Sequence, residues 1–200
     1  MTTEKKAYHH GHLRAALLEE AARLITEAGA EGVTMRALSR RVGVSHTAPY
    51  RHFADKEALL VAVAAEGFAR LKARLHAINL PEHERALTRF QEMGAAYVGF
   101  AVDNPAHYRL MYGKEALHRA QYPELQAAAD AAFAELVEII ETYQALDAIK
   151  PENSHALAYI AWSTVHGLAS LLVDGQMRYP DDIEALARLT TTILFEGMQA

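Results

Sequence analysis

Apolar residues recur at helical spacing along this whole chain, and no useful length of it alternates with the period of two that a half-buried strand needs. Leu13, Leu17, Leu24 and Ala28 stripe a first helix that Gly29 can end in a left-handed cap. Thr34 can cap a short second helix, Met35 to Val42, stopped by Gly43. Ser45 can cap a third helix, and Asp55 a fourth that runs to about Leu75, before Leu80-Pro81 breaks the chain. Leu87, Phe90, Gly94, Tyr97, Val98 and Ala101 stripe a fifth helix. Asn104-Pro105 and Tyr122-Pro123 place proline at the first turn of a sixth, ending near Gly113, and of a seventh marked by Leu125, Ala129, Leu136, Ile140 and Tyr143. Pro151 opens an eighth, and Asp181 with Glu184 forms a capping-box-like start for a ninth. The expected fold class is all-α, with about nine helices.

Several function classes drop out on composition. There is no cysteine, which excludes a disulfide scaffold, a Cys-ligated zinc site and a thiol sensor. His9, His10 and His12 cluster locally, but three histidines across four residues make a poorly preorganised metal site. We expect no metal and no cofactor. The polar start of the chain does not read as a secretory signal, so a cytoplasmic protein is expected. Ala156 to Val173 carries no charge, yet it holds Ser163, Thr164, His166 and Ser170 and lacks a basic flank. No membrane span is expected there. A helix apolar nearly all round is buried on several faces, and a second subunit is the natural cover. Ala161, Gly167, Ala169 and Ser170 would let another backbone approach closely.

The net charge of −5 argues at face value against a nucleic-acid partner, but it is unevenly spread. Residues 1–60 carry nine basic and seven acidic side chains; the remainder is strongly acidic. Between Val33 and Lys56, five basic residues face Asp55 alone. That segment reads as a short helix, a turn containing glycine and a second short helix, the helix-turn-helix plan. Ala37, Leu38 and Val42 supply an apolar face, Gly43 takes the positive φ of the turn, and Phe53 anchors the far end. Pro49 is the odd residue, removing one amide inside the second helix.

The run T-x-R-x-L-S-x-x-V-G-V-S-x-x-x-P-Y-R-H-F-x-x-K-E-x-L, from Thr34 to Leu59, resembles the DNA-binding signature of the tetracycline-repressor (TetR) family. Val42 stands where alanine is usual, and Pro49 where leucine is more frequent. Asn104 to Tyr112, Trp162 to Gly167 and Tyr8 to Leu13 are similar to the branch named after its Trp, His and Gly. The resemblance implies a homodimeric transcriptional regulator, usually a repressor, released from double-stranded DNA by a small effector. Residues 1–55 would then form the helix-turn-helix domain and 56–200 the effector-binding and dimerisation domain, paired through the last two helices.

The recognition segment presents Ser45, His46, Thr47 and Ala48 first. Thr47 can hydrogen-bond a base edge, Ala48 can touch a thymine methyl, and His46 can donate or accept according to its tautomer. Phosphate contacts are implied by the resemblance at Thr34, Tyr50, His52 and Lys56, each able to donate a hydrogen bond. Arg36, Arg40 and Arg51 are further candidates.

In the body, Phe68, Phe90, Met93, Tyr97, Phe100, Met111, Tyr112, Phe133, Ile140 and Trp162 are core residues by default, but richer in aromatics and methionine than a plain bundle needs. They are candidates for an apolar effector pocket, with His166 one turn after Trp162. Two alternatives remain at this stage. One is an architectural helix-turn-helix dimer without effector; the other is an all-α metal-dependent enzyme, for which no His-Glu-x-x-His, phosphate loop or nucleophile elbow is present.

Overall fold

The computed structural model describes residues 10–78, 86–113, 117–177 and 182–199, with side chains from Leu13 onward. Among the described residues it contains eight α-helices and two single-turn 3₁₀ segments: α1 His10–Gly32, α2 Met35–Val42, α3 Lys56–His76, α4 Ala86–Asp103, α5 Pro105–Tyr112, α6 Pro123–Ala145, α7 Ser154–Val173 and α8 Ile183–Met198. The 3₁₀ turns are Pro49–Arg51 and Arg119–Gln121. Leu80-Pro81, Asp181 and His9 lie outside the described residues, as do the side chains of His10 and His12.

The fold class is all-α, as expected, but the ninth helix is missing, and the cause is Pro49. In place of a third α-helix, the chain makes tight turns from Ser45 onward. The Ala48 amide reaches Ser45 O, and the His52 amide reaches Pro49 O. Without an N–H, Pro49 cannot bond back to Ser45, so the segment stays 3₁₀. Ser45 does not cap it; its hydroxyl lies 3.3 Å from that of Thr47 instead. Two other starts shift. Helix α7 is capped by Asn153, whose Oδ1 accepts from the Ala156 amide at 2.9 Å, not opened by Pro151. Helix α8 is capped by Asp182, whose Oδ1 accepts from the Ala185 amide. Glu184 therefore sits within the first turn and not at the capping-box position.

The remaining caps follow sequence chemistry. Thr34 Oγ1 accepts from the Ala37 amide at 3.1 Å, and Gly43 ends α2 at φ 78° with its amide on Ser39 O. Gly29 breaks α1 at φ 70°, although with an extended ψ. Asp55 Oδ1 accepts from the Ala58 amide and places its charge at the positive end of α3.

Helix α3 joins the two parts of the molecule. Its first turns carry Leu59, Leu60 and Val63 into the core with Leu17 and Leu38; its later turns carry Phe68, Leu71 and Leu75 into the body. A second core cluster gathers Phe90, Ile140, Leu157 and Phe195. Helices α4 and α8 cross closely at Gly94, where a Cβ would overlap the γ-methyl of Thr191. In α7, Ala161 and Ala169 pack inside the protomer, contrary to a role in admitting a partner helix. Gly167 faces outward, with open space where a side chain would be.

Candidate functional site

Helix α2, the glycine turn and the Pro49 segment present a polar surface. Thr34, Arg36, Arg40, Ser45, His46, Thr47, Tyr50 and Arg51 are all exposed. Tyr50 is 55% exposed, an unusual position for an aromatic ring and one that leaves its hydroxyl available to a ligand. The Thr34 hydroxyl, while accepting from its own helix, keeps its proton to donate outward. His52 and Lys56 are half-buried. The Lys56 ammonium donates to Glu31 O at 3.1 Å, tying α3 to the end of α1 and leaving two further donors. Ala48 is also half-buried and packs against the core, so its methyl is less open than the sequence pattern implies.

The basic residues separate into two groups. Arg41 is engaged by Glu27 at 2.6 and 3.0 Å and by Glu20 at 3.0 Å. That pairing lowers the Glu27 carboxyl below the usual range through the Arg41 hydrogen bond. Arg36, Arg40 and Arg51 make no ion pair among the described residues. These three cations stand uncommitted on the helix-turn-helix surface, suited to phosphate oxygens.

The body holds a cavity of about 170 Å³ between the two core clusters, lined from α3, α4, α5, α6, α7 and α8 and from the Arg119–Gln121 turn. Of the sequence candidates, Phe90, Met93, Tyr97, Tyr112, Phe133 and Trp162 line it. Phe68, Phe100, Met111 and Ile140 do not; they are fully packed core, and Met111 abuts Gly67. His166 stands behind the wall. Among the polar lining residues missed by the apolar reading are Arg119, Gln126 and Asp130. Their only sequence signal was a position just before and within the polar-faced start of α6.

Behind the aromatic wall runs a hydrogen-bonded chain. The Trp162 indole N–H donates to the Tyr97 hydroxyl at 3.1 Å, which lies 3.0 Å from His166 Nδ1. The Tyr108 hydroxyl is shared among His166 Nδ1, His166 O and Ser170 Oγ. Burial pushes the Tyr97, Tyr108 and Tyr112 hydroxyls up and the His166 imidazole down, which favours the neutral ring. His107, buried between α3 and α5, is likewise lowered, by burial first and the Arg70 charge second. Its Nε2 has no hydrogen-bond partner among the described residues.

These two histidines set a pH dependence. Above the ordinary value of 6.5 both states hold neutral rings. Below it the unfolded chain takes up protons that the folded one refuses, so stability falls with pH until the depressed native values are passed. Urea midpoints at about pH 7.5 and about pH 5.5 should differ by less in the double variant His107→Gln, His166→Gln than in the parent; an unaltered difference would assign the slope to other groups.

Residues 17–63 match the family model described as bacterial regulatory proteins, tetR family, and residues 90–194 match the tetracyclin repressor-like C-terminal domain. The second match alone spans more than half of the chain. This chain belongs to the TetR family. The match does not single out the branch named for the Trp, His and Gly. Over 58 residues this TetR-family chain is 47% identical to the transcriptional repressor AcnR of Corynebacterium diphtheriae, covering 29% of this chain and 30% of that protein. It therefore aligns with less than a third of that relative's length. A solved structure of a protein of unknown function from Rhodococcus sp. RHA1 is 33% identical, with a TM-score of 0.85 over 98% of this chain and 100% of that one. The TetR-family regulator PfmR of Thermus thermophilus, 22% identical, shares the fold at a TM-score of 0.71 over 92% and 99% of the two chains. The matched N-terminal model is one of bacterial regulatory proteins, a family whose members are not enzymes. Helix α7 is long and apolar enough to cross a membrane, but eight of its residues are buried within the fold, and the family indicates no membrane protein.

Proposed function

We propose that this TetR-family chain is a cytoplasmic repressor that binds a pseudo-palindromic operator as a homodimer and is released by a small apolar or amphipathic effector. The observation that carries the reading is the division of cations. Arg41 is neutralised at the α1–α2 contact, while Arg36, Arg40 and Arg51 stand exposed beside Thr34 and Tyr50. His46 and Thr47 lie at the front of the Pro49 turn, the place from which base edges are read. The similarity to the repressor AcnR favours repression over activation.

Pairing would run through α7 and α8, which pack together and expose Tyr159, Ile160, Leu171, Leu189 and Ile193. Such a row of large apolar groups is costly to leave in water. Helix α3 would carry the effector signal, since it leaves the helix-turn-helix at Asp55 and lines the cavity with Leu71 and Leu75. Reciprocal linkage then requires operator DNA to weaken effector binding by the same factor.

Selection of a binding site from random duplex, followed by gel-shift titration at two salt concentrations, tests the DNA surface. Arg51→Ala and Tyr50→Phe are expected to weaken binding across sequences, and Arg51→Ala to lower the salt slope by about one. Thr47→Ala is expected to change sequence preference instead. A salt slope unaltered in Arg51→Ala would remove that residue from the phosphate contacts. Failure to select any duplex would overturn the reading.

A further inference from the structure

The cavity combines a few charged and polar side chains with a largely apolar wall. Arg119, on the 3₁₀ turn before α6, lines it together with Gln126 and Asp130, whereas Phe90, Met93, Phe133, Trp162 and Leu194 supply the apolar remainder. Arg119 is held by aromatic faces and not by a carboxylate: its guanidinium carbon lies 5.7 Å from the Phe68 ring centre and 5.9 Å from that of Tyr112. It makes no ion pair among the described residues. Asp130, the acidic group of the lining, is exposed to solvent and already accepts from the Gln126 amide at 2.7 Å. Arg119 is therefore the cationic side chain that the lining offers to an anion. A guanidinium fixed over rings has its fork of donors preorganised, and carboxylate is the group that fits the fork.

Resting on the effector reading above, we propose that the cavity binds a small amphipathic carboxylate, its acid group on Arg119 and its apolar part among Met93, Phe133 and Trp162. Size narrows the class. At about 170 Å³ the void is close to the ~150 Å³ apolar cavity known to admit benzene. A single aromatic ring with a short acid arm, or a medium-length alkanoate, matches it without rearrangement; a polycyclic ligand does not. The cavity draws its lining from both core clusters, Met93, Tyr97 and Val165 from one and Phe90, Ala161 and Leu194 from the other. A ligand there completes packing that the chain leaves open.

Calorimetry on the full chain with 3-phenylpropionate, its neutral amide 3-phenylpropionamide and the cation 3-phenylpropylammonium tests the assignment, with alkanoates of increasing length as a second series. The carboxylate is expected to bind more tightly than the amide by about tenfold or more, and Arg119→Gln to erase that preference while Arg119→Lys keeps part of it. Ala161→Leu, which grows into the void, should weaken all three ligands alike. Equal binding of carboxylate and amide, an unchanged preference in Arg119→Gln, or tighter binding of the cation would overturn the carboxylate assignment. Binding by the amide or cation alone would do so while leaving the effector reading intact. Absence of binding by every carboxylate in both series overturns it too, and operator binding is then measured independently of the cavity.

Discussion

Ile160→Glu together with Ile193→Glu is expected to give a monomer that binds operator at least about a hundredfold more weakly than the parent. The two residues are 53% and 63% exposed on α7 and α8, among the most open large apolar side chains described. Each would be buried in the proposed dimer, where a desolvated, unpaired carboxylate is costly. The protomer's own core does not use either side chain, so the variant should keep its helical content and its urea midpoint apart from any part contributed by association. Operator affinity falls because one helix-turn-helix offers few phosphate contacts, and two half-sites must be held at fixed spacing to add their contributions. Sedimentation velocity and gel shift on the same samples read both effects. A variant that stays dimeric with full operator affinity would remove α7 and α8 from the interface.

Phe68→Ala is expected to cost about 3–5 kcal/mol of folding stability, a large fraction of the ~5–15 kcal/mol available to a protein of this kind. Phe68 is 1% exposed and packs edge-on to Tyr112 at 5.3 Å, with Arg119 over its face. It lies on α3 between the part that packs on α1 and the part that lines the cavity. Its loss leaves a void that α3 cannot close without moving one of its two ends. Phe68→Leu keeps most of the volume and should cost less than about half as much. Equilibrium urea unfolding measures both; a cost below about 1 kcal/mol for the alanine variant would show that α5 and α6 collapse into the gap.

The helix-turn-helix was legible because its signals are local. A threonine cap, a glycine at positive φ and an apolar face on α2 each act within a few residues, and Thr34, Gly43 and Leu38 occupy those roles. The nature of the recognition segment is also written in the chain, in Pro49, but its consequence exceeds the one lost hydrogen bond that the missing amide suggests. In so short a segment that loss changes the helix type. In the body, helical spacing located α4 to α8 but did not separate wall from core. Phe100 and Phe133 sit on equally apolar stripes, yet Phe100 is packed solid and Phe133 faces the cavity. Periodicity says which side of a helix turns inward; it does not say whether the inward space is filled.

Sequence by itself therefore determined the all-helical class, the helix-turn-helix segment and the family, since caps, turns and stripes depend on neighbours along the chain. Tertiary structure alone decided which cations remain free. Arg41 and Arg36 are alike in the sequence, and only the packing of α1 on α2 brings Glu20 and Glu27 to Arg41. It also decided that Arg119, Gln126 and Asp130 meet an aromatic cavity assembled from six helices. Charges and voids of that kind are set by distances between segments far apart in the chain, and no local pattern encodes those distances.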